Sequence, residues 1–308
     1  MRDKFFEILT KRAKKNKRII LLVADVGFGV VNDFKKINPN QFFNVGISEQ
    51  NMAGLAVGLA LAGKKVFCYS IANFATLRSI EHIRNGACYH NLDIKFVSGG
   101  SGYSYGSLGY SHHAIEDLGI MRCLPNIDIF SPSSDYEIEY ITDLLTLNHK
   151  TPAYLRIDKT KILETNPKKI KNLAKPRLII KNNKKESEIA IFSSGGIIQE
   201  VKKAVEKANN LNISCSVYSI FNISKLDKNF SKKFKNKKII VVEETIKENG
   251  IYIFLKENLS NDNIISSISL KKNSIYFNAG SQTFIRKKQK VSENYILKKI
   301  IDISKLKV

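Results

Sequence analysis

The feature that most constrains this chain is an alternation of short apolar runs, each ending in glycine, serine or another loop former, with stretches long enough for a helix. The run RIILLVADVGFG, residues 18–29, is too short for a buried helix and ends in glycines, which predicts a parallel strand with a loop at its carboxyl end. A strand over Gln41 to Gly46, a helix from near Ser48, strand KKVFCYS, a helix across Asn73 to His90 and strand DIKFVSGG continue the pattern. A glycine-rich loop from Gly99 to Gly109 follows. Then come a helix over Ala114 to Cys123, strand DIFSP, a helix from Asp135 to Asn148 and strand AYLRI. Elements of these lengths predict an α/β fold, a mainly parallel sheet with helices on both faces. In an open sheet of this kind ligands sit outside the carboxyl ends of the strands. The loops at Asp25, Gly46, Ser70, Gly99, Ser131 and Arg156 should therefore converge on one side.

Between Asp158 and Glu186 the pattern lapses into Lys, Asn and Pro, which reads as a linker. It restarts with EIAIFSSGG, a helix from Ile198 to Asn209 and strands SCSVYSI and KKIIVVEE, a second, smaller α/β unit. The expected division is 1–160, a linker over 161–185, and 186–308. A length of 308 residues with 43% hydrophobic and 25% charged residues suits two folded domains. No apolar run approaches the roughly 18 residues of a membrane span, and MRDKFFEILTKRAKKNK lacks a signal-peptide core. The expectation is a cytoplasmic protein with no membrane partner. Cys68, Cys88, Cys123 and Cys215 are far apart with no CxxC pair, and read as small buried hydrophobes rather than metal ligands or disulfides. The net charge of +22 would suit nucleic acid, yet nothing resembles a nucleic-acid-binding motif. A solvated lysine-rich surface with no nucleic-acid partner is the simpler reading.

The segment NVGISEQNMAGLAVGLALAG, residues 44–63, places Glu49 in the first turn of a helix that follows directly on a strand. Its alanines and glycines keep that helix thin enough to pack closely on a neighbour. By itself, Glu49 could equally be an acid that complements the helix dipole.

The order NVGISEQNMAG, YSIANFATLRSIEHIRN, SHHAIEDLGIMRCLPNIDIFSPSSDYE and PAYLRI resembles the pyrimidine-binding domain of transketolases and of 1-deoxyxylulose-5-phosphate synthase, over about residues 15–157. The second unit is similar in layout to the family's C-terminal domain, with VVEE, Val241 to Glu244, the clearest match. The resemblance implies thiamine diphosphate as cofactor. It gives Glu49 the family glutamate's role, a hydrogen bond to a ring nitrogen of the aminopyrimidine that favours the imino tautomer and so the ylid. Burial in a dry interface would suit a carboxyl that shares its proton. Phe74 keeps an aromatic of the pyrimidine pocket, Ile71 stands where another aromatic is usual, and Asp25 lies in a loop counted with the cofactor contacts. His112 matches the histidine facing the reacting sugar, His113 a position often held by Gln, and Arg156 an arginine that binds a substrate phosphate.

Departures from the family pattern bear on substrate. The histidine before the THQ-type motif is replaced at Gly100, the sugar-reading aspartate at Leu108, and the phosphate-contacting serine at Gly29. The implied substrate is a sugar or sugar phosphate of modified or activated kind. The sequence also lacks the GDG and downstream Asn that hold Mg2+ and the diphosphate. The resemblance therefore implies a partner, an N-terminal transketolase subunit carrying that motif and most of the metal contacts, in an α2β2 assembly. The nearest rival is the beta subunit of a 2-oxo acid or acetoin dehydrogenase, which the compact HHAIEDLGIMRCLPNIDIFSP disfavours. A nucleotide-binding reading of GFGVVN is weak because Asn32 stands where the third glycine of GxGxxG is needed.

Overall fold

The computed structural model describes residues 1–164, 167, 169–181, 189–274 and 279–306, with the side chains at 72 and 274 set aside. Helix α1 (Arg2–Lys15) buries Phe5, Phe6 and Leu9 along one stripe and leads into β1 (Ile19–Val23). Next come α2 (Asn32–Ile37), β2 (Phe42–Asn44), α3 (Glu49–Leu61) and β3 (Lys65–Ile71). Two short helices, α4 (Ala72–Leu77) and α5 (Ile80–His82), run into a wide π-type turn over Ile83–Cys88 before β4 (Ile94–Gly99). Helix α6 (Asp117–Arg122), β5 (Asp128–Phe130), α7 (Asp135–Leu147) and β6 (Ala153–Ile157) complete the first unit.

These strands form one parallel sheet in the order β2-β1-β3-β4-β6-β5. Strand β1 shows why its sequence is apolar throughout. Ile19, Leu21 and Val23 join a core with Phe5 and Leu9 of α1 and Ile138 of α7, whereas Ile20 and Leu22 join the opposite core with Met52, Ala53 and Ala56 of α3. Side chains alternate between faces, so a sheet covered on both sides needs apolar residues at every position. Each buried Leu or Ile contributes about 1.5–3 kcal/mol. The chain leaves β1 for β2 and returns across it to β3, so the strand order reverses between β1 and β3. That reversal opens a crevice above their carboxyl ends.

The second unit runs β7 (Arg177–Ile180), β8 (Ile189–Ser193), α8 (Ile198–Asn210), β9 (Cys215–Ser219), α9 (Phe230–Lys233) and β10 (Lys238–Ile246). It ends with α10 (Ile251–Lys256), β11 (Ile264–Leu270), α11 (Gln282–Lys288) and α12 (Glu293–Ser304). Its sheet has the order β11-β10-β8-β9-β7, with β7 antiparallel to β9. The two units share a seam. Strand β5, at the edge of the first sheet, is covered by residues 221–224: Ser131 N donates to Phe221 O at 2.9 Å and Ile223 N to Ile129 O at 2.9 Å. Lys225 pairs with Asp128 at 3.1 Å across the same boundary. Nearby, Glu244 of β10 is gripped by Arg286 of α11 at 2.7 and 2.9 Å, and its side chain fills the space beside Gly102.

Both sheets match the alternation read in the sequence, while four local expectations are corrected. The stretch from Asn73 to His90 is not one helix: Ser79 donates its hydroxyl to Glu49 O at 2.9 Å and Thr76 to Asn73 O at 3.2 Å, bonds that compete with helical continuity. Ala114 cannot begin α6, because it exchanges two 3.0 Å backbone bonds with Gly102. Arg177–Ile180, within the stretch read as linker, is a strand, anchored by Arg177 Nε donating to Glu137 Oε1 at 2.8 Å. Cys68, Cys88 and Cys215 are buried as expected, but Cys123 is exposed. Among the described residues, no helix is long and apolar enough to cross a membrane.

Candidate functional site

The crevice between β1 and β3 collects loops from four elements. Asp25 follows β1 with φ of 49° and exchanges two 3.0 Å bonds with the Asn44 side chain, which also accepts from Gly46 N at 3.1 Å. This Asn44 clamp ties the β1 loop to the end of β2 and sets the entry of α3. Glu49 is the first residue of that helix. Its side chain is 2% exposed, a costly place for a carboxylate without partners. Ser70 Oγ, at the end of β3, donates to Oε1 at 3.0 Å, and Arg78 Nη1 donates to Oε2 at 2.9 Å. Arg78 is half exposed and lies 4.0 Å over the ring of Phe74, one helical turn earlier. Ile71 ends β3 beside Ser70 and is half buried.

The loop after β4 brings the histidines. His112 is half buried, with its ring edge-to-face to Phe74 at 5.1 Å and Nδ1 2.9 Å from Ser111 Oγ. Asn73 reaches the Ser111 carbonyl from α4 and pins this loop over the Phe74 ring. Desolvation, reinforced by the Arg78 charge, lowers the His112 pKa from its ordinary 6.5. The imidazole is therefore mostly neutral near pH 7, able to accept a proton or a hydroxyl hydrogen bond. Tyr105 lies 6.2 Å from His112, and the exposed ammonium of Lys159, just past β6, sits 3.6 Å over the Tyr105 ring.

Two of the residues expected to bind substrate are buried. His113 is 1% exposed, packs edge-on to Tyr103 at 4.9 Å and contacts the Gly106 carbonyl at 3.5 Å; burial lowers its pKa. It fastens the glycine loop from within. Arg156 is 3% exposed and donates from Nε to Asp117 Oδ2 at 2.7 Å and from Nη2 to Ala114 O at 2.6 Å. Tyr154 donates to the same Asp117 oxygen at 2.6 Å. The Arg156 guanidinium is thus engaged through Nε and Nη2 by a buried carboxylate and a backbone carbonyl.

The departures noted in the sequence have structural counterparts. At Gly100, φ is +93° and the Tyr105 ring occupies the place a Cβ would take, so a histidine there would displace Tyr105. Gly29, with φ of +83°, has open space beside it. Leu108 is 54% exposed at the rim of the same loop. The structure thus brings together Glu49, Ile71, Phe74 and His112 around the crevice and leaves His113 and Arg156 behind it. Sequence reading missed Ser70, Arg78, Tyr105 and Lys159. Arg78 carried a signal, since it falls four residues after Phe74.

Comparison with known proteins gives the same picture. Residues 1–163 match the family "Transketolase, pyrimidine binding domain", and residues 180–276 match "Transketolase, C-terminal domain". The chain is 31% identical over 250 residues to the putative transketolase C-terminal section of Methanocaldococcus jannaschii, covering 80% of this chain and 78% of that protein. It is 30% identical over 291 residues to an apulose-4-phosphate transketolase subunit of Actinobacillus succinogenes, covering 92% of each. A 6-deoxy-6-sulfo-D-fructose transketolase subunit of a Clostridium species is 26% identical over 229 residues, covering 74% of this chain and 70% of that one. In fold, the chain matches a split gene transketolase described as an inactive beta4 tetramer with a TM-score of 0.85 at 24% identity, covering 100% of this chain and 99% of that one.

Proposed function

The chain belongs to the transketolase family, and from that premise we propose that it is the pyrimidine-side subunit of a thiamine-diphosphate-dependent transketolase. In this reading it moves a ketol unit between sugars. A second, N-terminal-type subunit in the cytoplasm supplies the diphosphate and Mg2+ contacts, in an α2β2 assembly. Residues 1–160 carry the pyrimidine half of the site and 186–308 form the C-terminal unit.

The observation that carries the proposal is Glu49, a buried carboxyl held between Ser70 and Arg78 at the switch-point crevice. These residues fit the aminopyrimidine. Glu49 offers a carboxyl to a ring nitrogen, Phe74 and Ile71 offer apolar faces, and Asp25 lies at the crevice mouth. When bound, the cofactor supplies a carbon nucleophile. Ser70 fixes the Glu49 rotamer, Arg78 can swing outward because it is half exposed, and Glu49 then holds the shared proton at its carboxyl. Neutral His112 accepts or returns a proton at a sugar hydroxyl. Lys159, at the exposed rim, meets an anionic group on the sugar.

The surface supports a partner. Helix α3 is apolar nearly all round, yet it buries only Glu49, Met52, Ala53 and Ala56. Leu55 and Leu61 of α3, Ile47 just before it, and Phe28 of the β1 loop are left exposed, Ile47 at 76% and Phe28 at 82%. Apolar exposure on this scale beside a half-built site marks a protein interface. The relatives whose names give a modified sugar, apulose 4-phosphate and 6-deoxy-6-sulfofructose, favour a modified sugar here, in keeping with Leu108, Gly100 and Gly29. The decisive experiment co-expresses the chain with a neighbouring GDG-containing protein and measures ketol transfer and 2-oxo acid decarboxylation in parallel. Ketol transfer only in the complex is the expected result. Full activity from the isolated chain, or decarboxylation alone, would overturn it.

A further inference from the structure

The second unit carries a groove of about 1040 Å³ between β11, α12 and the turns after β10 and α11. Of the sixteen described residues that line it, seven are lysines, against 50 Lys and Arg among the 308 residues of the chain. A lysine-rich composition alone does not produce that concentration. The lysines also come from separate pieces of chain: Lys247 after β10, Lys271 and Lys272 after β11, Lys288 and Lys290 around the end of α11, Lys298 and Lys299 on α12. Folding brings them to one concavity. Among the described lining residues, only Glu248 and Asp302 oppose them. Among the described residues, Lys272, Lys288, Lys290, Lys298 and Lys299 have no carboxylate within ion-pair distance.

Like charges gathered in a concavity repel one another and focus a positive potential into it, which a bound anion relieves. The floor is β11, the edge strand of its sheet, whose Ser269 hydroxyl is given to Glu243 Oε1 at 2.9 Å, so the polar character of the groove comes from its lysines. Tyr295, 39% exposed, gives the wall one aromatic face. We propose that this groove is a binding site for a compact polyphosphate group, as in an inorganic polyphosphate or a nucleoside triphosphate. The groove is large enough to admit such a group, alone or as part of a nucleotide. A nucleic acid would need a basic track that extends along the surface rather than one bounded groove.

The test is calorimetric titration of the full chain with tripolyphosphate and with ATP at about 0.1 M salt, where exposed long-range charge effects are largely screened. Saturable one-to-one binding is expected. The double variant Lys272→Glu/Lys298→Glu should weaken it at least tenfold, while the charge-matched control Lys14→Glu/Lys15→Glu on α1 should leave it unchanged. Tyr295→Ala should weaken ATP alone if the ligand is a nucleotide, and neither probe if it is the bare polyphosphate. All variants touch exposed side chains, and matching thermal unfolding would confirm their fold. No saturable binding, equal loss in the control, or tighter binding of a ribo-oligonucleotide than of either probe would overturn the assignment. Because the readout is binding, failure here leaves the transketolase reading of the first unit standing.

Discussion

Arg78 donates to Glu49 across the gap between α4 and α3, 2.9 Å from guanidinium to carboxylate, while the same guanidinium covers the Phe74 ring. The carboxyl proposed to meet the cofactor is therefore already engaged by a cation. Glu49→Gln keeps the shape and the Ser70 contact but removes the carboxyl. In the reconstituted complex it should lower kcat at least about a hundredfold, in line with loss of acid–base assistance, with thermal unfolding nearly unchanged. A rate near that of wild type would reassign the activating group.

The pH profile should carry the signature of His112. Its folded pKa lies below 6.5, chiefly through desolvation and then through Arg78, so the neutral form is favoured and is lost as pH falls through that depressed value. The acid limb of kcat/KM should have a midpoint below 6.5 and disappear in His112→Ala. Arg78→Ala removes one of the two causes and should move the midpoint upward, which a rate titration from pH 5 to 8 would detect.

Arg156 and Lys159 should separate cleanly. Arg156→Leu leaves the Asp117 carboxylate, 1% exposed, without its cation, and breaking a buried pair of this kind costs about 3–5 kcal/mol. Denaturant unfolding should show that loss. Lys159→Ala, at an exposed position, should leave stability unchanged and raise KM for phosphorylated sugars severalfold while sparing neutral ones. The opposite assignment of effects would place the phosphate contact at Arg156.

Leu108 stands at the rim where the family pattern has a sugar-reading aspartate. A leucine cannot accept a hydroxyl hydrogen bond, whereas it tolerates a deoxy or substituted carbon. Leu108→Asp should raise kcat/KM for ordinary ketose phosphates relative to deoxy sugars by about tenfold, read from parallel kinetics on both classes. No change in that ratio would remove this loop from specificity.

How far the sequence could be read depended on whether the deciding contact was local. Runs such as IILLV in β1 and IAIF in β8 were legible because burial on both faces leaves a continuous apolar signal. Glu49 was legible through the strand, helix start and small residues around it. His112 and His113 are adjacent and chemically identical, and only the packing of Tyr103 against one and Phe74 against the other separates their roles. The ion pair of Arg156 with Asp117 was not legible because the two lie 39 residues apart. Strand β7 is four residues long and flanked by lysines, and its place is fixed by β9 and Glu137, not by its own pattern.

The covering of β5 by residues 221–224 has a consequence for how such a chain can be cut. A sheet edge stripped of its cover exposes unpaired backbone groups that invite pairing with another copy. Expressed without the second unit, the first would present the β5 edge to its neighbours and lose the Lys225 contact to Asp128. Division between the units would thus create a fragment prone to self-association.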